Sequence, residues 1–184
     1  MLTFDFASFP TLVTSRLTLR QLRHSDAEAM FPMRSDPETM RFIPRPLAQS
    51  PADVVKLIDD INEHVSGNKA INWGITITGL DKVIGTIGYV RMAPHNHRAE
   101  IGYMLDPLSQ GMGIMKEAAA VVVEYGFKTL HLHSIEAVID PANHASRSVL
   151  QSLGFLKEAS FKENEFYEGK FLDTDVYSLL NPEE

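Results

Sequence analysis

Residues 99–129 read AEIGYMLDPLSQGMGIMKEAAAVVVEYGFKT. An alternating run of strand character passes through two glycines, one residue apart, into a long apolar stretch of helical character. A strand that hands over directly to such a helix must lay it on the sheet, which calls for a layered α/β domain. The handover also carries chemistry. The first-turn N–H groups of a helix are unpaired and its dipole is positive there, so the backbone alone can hold phosphate oxygens. Glycine lets the anion come close and permits positive φ. Taken alone, the hexapeptide Gln110-Gly111-Met112-Gly113-Ile114-Met115 is equally compatible with an ordinary glycine-rich turn.

Two familiar phosphate motifs are excluded by spacing. A dinucleotide fingerprint places a third glycine where Lys116 stands and belongs to the first strand–helix unit, whereas this is the fourth strand of the chain. The P-loop pattern is absent as well.

Around this segment the pattern gives a strand at 16–22, a helix over 26–35 capped by Ser25 or Asp26, and a second short helical start at 36–40. Ser50-Pro51 opens a helix through about residue 65, closed by Ser66-Gly67. Strands at 71–77 and 82–92 form a hairpin, the stretch MAPHNHR is a loop, and 99–105 is the next strand. A helix follows over 111–129, then a strand at 134–140, a helix at 143–153, and a strand pair turning between Tyr167 and Lys170. Asn143 suits the N-cap of the 143–153 helix, with Ser146 and Arg147 one turn on, and Gly154 suits its αL stop. Two helix N-termini thus lie at the carboxyl ends of neighbouring strands, the usual ligand crevice of an open sheet.

Composition excludes several classes of function. With no cysteine there is no disulfide framework, thiolate nucleophile or thiolate metal site. A net charge of −7 argues against duplex nucleic acid, which asks for a basic face, and favours basic peptides or small amines. No stretch reaches the roughly 18 apolar residues of a membrane span. The N-terminus has no basic region followed by an unbroken apolar run, so no signal peptide is expected. These features fit a cytoplasmic protein, monomer or homodimer. The histidine pairs His95/His97 and His131/His133 lack an evident third ligand and read as surface groups, so no metal is expected. Trp73 is either a lining of the acceptor site or core.

The segments SRLTLRQL, WGITI, KVIGTIGY, RAEIGYMLDPLSQGMGIMKEA, HSIEAVIDPANHASRSVLQSLGF and VYSLL, in this order, resemble the GNAT superfamily of acyl-CoA-dependent N-acyltransferases. The nearest branch is the Rim type, which modifies ribosomal-protein N-termini. The resemblance covers about Thr14 to Leu180. Its Q/R-x-x-G-x-G/A motif is met at Gln110 and Gly113, with Met115 in place of the final small residue. It implies one domain over 1–184 with a mixed, mostly antiparallel, twisted sheet of six to seven strands. Helices lie on both faces, and a CoA cleft opens between the fourth and fifth strands.

By the same resemblance, the anion is the coenzyme A pyrophosphate, on the amides of Gly111, Met112, Gly113, Ile114, Met115 and Lys116. The pantetheine arm runs along Tyr103, Met104 and Leu105, with Asn143, Ser146 and Arg147 beside it. Glu100 is the candidate base; otherwise it is a solvated carboxylate or a partner of Arg98. An oxyanion donor would be a strand N–H near Met104 or Leu105. Many relatives place a thiol-protonating tyrosine where this chain has Leu150, which leaves Ser146 as donor or departure of the thiolate through water.

The implied reaction is direct acetyl transfer from acetyl-CoA to an amine. An α-amine titrates at about 7.7–8.0 and a lysine at about 10.4, so near pH 7 about one α-amine in ten is neutral but fewer than about one lysine in a thousand. That favours a protein N-terminus. A small amine acceptor (polyamine, amino acid, antibiotic), a non-catalytic CoA-binding regulator and a nucleotide-binding protein are the alternatives.

Overall fold

The computed structural model describes residues 1–182. Eight strands form one sheet in the order β1-β2-β3-β4-β5-β6-β8-β7. They are β1 Leu12–Val13, β2 Leu17–Gln21, β3 Ile71–Ile77, β4 Val83–Ala93, β5 Arg98–Leu105, β6 Ser134–Ile139, β7 Leu156–Tyr167 and β8 Lys170–Leu180. Every neighbouring pair is antiparallel except β5–β6. The sheet exceeds the expected six to seven strands because the short edge strand β1 pairs with β2.

Four helices flank it: α1 Ala27–Ser35, α2 Pro51–Ser66, α3 Ile114–Lys128 and α4 His144–Ser152. One face packs under α3 and α4 through Ile71, Trp73, Ile87, Ala118, Val122, Leu150 and Tyr177. The other packs under α1 and α2 through Leu22, Met30, Val54, Ile58 and Met104. Alternation decides which residue goes where: along β3, Ile71, Trp73 and Ile75 turn to the first cluster.

Close approach of α3 to the sheet depends on Gly126. A Cβ there would lie 2.0 Å from Tyr89 Oη, whose hydroxyl donates to the Val122 carbonyl at 2.8 Å. Packing also begins before residue 14. Phe4 and Phe6 are buried, and Phe6 N donates to Asn68 Oδ1 at 2.8 Å.

Several local expectations are corrected. The segment 36–40 is a turn, not a helix start. Asp36 Oδ2 accepts from Thr39 N at 2.8 Å and from Thr39 Oγ1, satisfying the chain locally, and Pro44 and Pro46 follow. Asp26 does not cap α1 by its side chain. Its carboxylate is buried in a bidentate pair with Arg20, at 2.9 and 2.8 Å, and also accepts from Arg23 N. Within the stretch MAPHNHR, β4 runs on to Ala93 and the loop shrinks to residues 94–97. Helix α3 starts at Ile114 rather than 111, because Gly111 and Gly113 both take positive φ.

Candidate active site

The parallel pair β5–β6 is the origin of the site. Its register covers only Arg98↔Ser134, Ala99↔Ile135 and Glu100↔Glu136. Beyond that point β5 stays with β4 and β6 stays with β8. The two strands therefore splay, leaving the β6-facing edge of 101–105 without a strand neighbour. Glu100 sits at the apex of the splay.

The loop from β5 to α3 lies at one end of this opening. Gly111 (φ 75°) and Gly113 (φ 72°) place two left-handed residues around Met112, a conformation L side chains adopt at a cost. The first intrahelical bond is Glu117 N to Gly113 O, so the amides of Ile114, Met115 and Lys116 have no helical partner. Gln110 Nε2 donates to Leu105 O at 3.2 Å and ties the loop to the end of β5. Met112 is exposed, whereas Ile114 and Met115 are buried in the core, so only backbone is offered by those two.

A buttress that the sequence reading missed holds this cradle. Arg16 Nη1 donates to Met112 O at 3.0 Å and Arg16 Nε to Glu117 Oε2 at 2.6 Å, while Thr14 Oγ1 donates to Glu117 Oε1 at 2.5 Å. The Thr14 hydrogen bond, followed by those from Arg16, holds the Glu117 carboxyl below its ordinary value.

Helix α4 supplies the facing edge. Asn143 Oδ1 accepts from Ser146 N at 3.0 Å, the expected cap, and Gly154 takes φ 88° beyond the helix end. Arg147 turns back, Nη2 donating to the Pro141 carbonyl, and so braces the β6–α4 turn. Ser146 is 7% exposed, and its hydroxyl lies 2.7 Å from Tyr103 Oη. Tyr103 thus brings its side chain as well as its backbone to this opening. Burial pushes its phenol up to about 12, against the opposing hydrogen bond with Ser146, so it stays protonated at working pH. Leu150 is packed in the core, and a phenol from β5 stands beside the serine instead.

Glu100 differs from expectation in its partners. Arg98 pairs with Glu136 at 2.5 Å, and Glu100 pairs with Arg91 at 3.2 Å, because the sheet register sets Arg91 opposite it. The Glu100 side chain is only 12% exposed. Burial raises its carboxyl above the ordinary range, partly offset by Arg91 and reinforced by Glu136 and Glu165. Glu165, on β7, lines the same cleft and is a second carboxylate that the sequence reading missed.

The cleft has a volume of about 740 Å³ and continues from Tyr103, Asn143 and Ser146 past Glu100 to the residues between α1 and α2. Trp73 is no part of it. Its indole is fully buried, donates to Pro10 O at 2.7 Å, and meets Phe9 and Tyr125 edge-on. Among the described residues, no three His, Asp or Glu side chains are grouped so as to hold a metal, and no helix is long and apolar enough to cross a membrane.

The chain has counterparts among known proteins. Residues 16–156 match the acetyltransferase (GNAT) domain family. The chain is 36% identical over 176 residues to the uncharacterized N-acetyltransferase YoaA of Bacillus subtilis (strain 168), covering 96% of this chain and 99% of that protein. It is 29% identical over 124 residues to the ribosomal protein uS5 alanine N-acetyltransferase of Escherichia coli (strain K12), covering 67% of this chain and 64% of that protein. Among solved structures, the ribosomal-protein-S5-alanine acetyltransferase of Vibrio fischeri superposes with a TM-score of 0.80 at 28% identity, over 94% of this chain and 97% of that one. The chain belongs to the GNAT family of acetyltransferases.

Proposed function

We propose that this protein transfers the acetyl group of acetyl-CoA directly to a primary amine, the α-amine of a protein N-terminus. The observation that carries the reading is the opening between β5 and β6, which joins an amide cradle on one side to a carboxylate-lined cleft on the other. The residues present fit coenzyme A. The amides of residues 111–116 are arranged for a pyrophosphate, and space is open where a Gly111 side chain would project. The free edge of Tyr103 to Leu105 can pair with an amide-bearing arm, beside Asn143, Ser146 and Arg147. Acetyl-CoA supplies the thioester whose C–S bond is exchanged for a C–N bond.

The chain's own residues then divide the work. Glu100, with its raised carboxyl, accepts the amine proton directly or through one water. Glu165 faces the same space and shares or takes over that role. A β5 N–H near Met104 or Leu105 stabilises the negative charge that develops on the carbonyl oxygen. The Tyr103–Ser146 pair delivers a proton to the departing sulfur through Ser146 Oγ, and Tyr103 restores it. Proximity and orientation supply the remainder.

The preference for an α-amine rests on its larger neutral fraction near pH 7 and on the uS5-alanine N-acetyltransferases among the relatives. A screen of acceptors by CoA release tests it. N-terminal peptides should be turned over, and polyamines, free amino acids and aminoglycosides should not. A small amine outpacing every peptide would replace this acceptor, and CoA binding without turnover of any amine would make the protein a CoA-dependent regulator.

A further inference from the structure

The lining of the cleft carries charges of both signs. Arg34, at the end of α1, and Arg41 and Arg45, on the segment leading to α2, line the cleft. Glu100 on β5, Glu165 on β7 and Asp173 on β8 line it as well. In a chain with 24 acidic and 17 basic residues, cations are the scarcer group and are readily neutralised. Arg16, Arg20, Arg23, Arg91 and Arg98 each hold a carboxylate. Among the described residues, Arg34, Arg41 and Arg45 have neither an ion pair nor a side-chain hydrogen bond.

Arg41 lies over the Phe42 ring, 5.1 Å from its centroid, which leaves its N–H edges free. Arg34 is half-buried, and burial together with the Arg45 charge holds it below its ordinary value. Keeping like charges together with no anion between them is costly, and the cost is relieved when an anion binds. Guanidinium groups suit that task, since their planar forks match carboxylate and phosphate oxygens. Asn72 lines the same cleft, and its buried Oδ1 accepts no hydrogen bond, an acceptor suited to an amine N–H.

We infer that the acceptor is an N-terminal segment carrying a negatively charged side chain within its first few residues, its amine toward Asn72 and Glu100 and its anion between Arg34 and Arg45. This deepens the reading of the acceptor as an α-amine and rests on it.

The test compares two peptides with the same first residue and either Asp or Asn at the next two positions. The wild-type protein should favour the acidic peptide by about tenfold or more in kcat/KM, as expected for a charge-assisted contact. Arg34→Gln should bring the ratio of the two peptides toward one. Arg45→Glu, at an exposed position that does not endanger folding, should invert the ratio in favour of the Asn peptide. Equal use of both peptides by the wild type, or a ratio that survives Arg45→Glu, overturns the inference while leaving α-amine acetylation standing. If no peptide is acetylated, the α-amine reading fails, and tyrosine against tyramine poses the same question for a small acceptor. A preference for the carboxylate-bearing amine that Arg45→Glu abolishes supports the role of the arginines, and equal use of the two overturns it.

Discussion

Tyr103 Oη and Ser146 Oγ lie 2.7 Å apart, joining β5 to α4 across the mouth of the splayed strands. Two hydroxyls 43 residues apart in sequence form one unit, which the proposed mechanism uses to protonate the departing thiolate through the serine. Ser146→Ala should lower kcat by about tenfold or more, within the lower range of general acid contributions. Tyr103→Phe should do so less, and the double variant should be no worse than Ser146→Ala, as for groups acting in series. An aryl thioester donor, whose thiolate needs no proton, should erase most of the defect. Equal losses with both donors would make the pair structural.

Glu100 offers a test with two signs. Burial raises its folded-state pKa, so its ionised form is disfavoured in the native protein. The native state binds the proton more tightly than the unfolded chain, and stability is lost as pH rises through the folded pKa. Glu100→Gln should therefore melt higher than wild type at neutral pH, and the two curves should converge in acid, below the ordinary carboxylate range. The same variant should lose about 100- to 10,000-fold in kcat at unchanged CoA affinity, with the loss shrinking at high pH, where the amine arrives neutral. A loss below about threefold with parallel pH profiles would move the base role to Glu165 or to water.

The cradle is tested at Gly113 and Glu117. Gly113→Val forces a branched residue into left-handed φ, a strain of about 1–3 kcal/mol, where the added Cβ would meet only Arg16 Nη2 at an ordinary contact distance of 3.6 Å. The variant should stay folded by circular dichroism and bind CoA far more weakly by calorimetry. Glu117→Ala removes the buttress from Thr14 and Arg16, so CoA affinity should fall by several-fold without any change of contact to the phosphates. Because the folded Glu117 carboxyl is held low, its contribution to stability is present above the unfolded pKa and fades as pH falls through the folded one. Unchanged CoA affinity in both folded variants would assign the loop to structure alone.

Gly126→Ala should destabilise the protein without touching the site. An added methyl meets Tyr89 Oη and displaces the phenol from the Val122 carbonyl, an overpacking cost of about 1–3 kcal/mol. Thermal melting reads it as a fall of several degrees at equal kcat. A neutral effect would mean that α3 slides on the sheet.

The strands, the long helices and the cradle could be read from the sequence because their signals are local: alternation, a Ser-Pro start, glycines at a strand–helix handover. The turn at Asp36 misleads since an Asx turn and a helix cap use the same hydrogen bond. The neighbours of Glu100 were beyond reach for a different reason. Nearness in sequence suggested Arg98, but register across two sheet partners decided for Arg91 and Glu136. The same holds for Tyr103 against Ser146, a contact made by tertiary packing, and for the meeting of Arg34 and Arg45 in one cleft lining, which no periodicity encodes. Leu150 marks the converse case: the family position could be read, but the Tyr103 phenol beside Ser146, on another element, could not.

The central claim, direct acetylation of an α-amine, is tested most directly by the intact mass of one peptide prepared in two forms. One form has a free α-amine and blocked lysines; the other has a blocked α-amine and a free lysine. With acetyl-CoA and catalytic amounts of protein near pH 7, the first should gain one acetyl group with multiple turnovers and the second should remain unchanged. Acetylation of the lysine form at an equal or greater rate, or of neither form while free small amines are modified, would contradict the account.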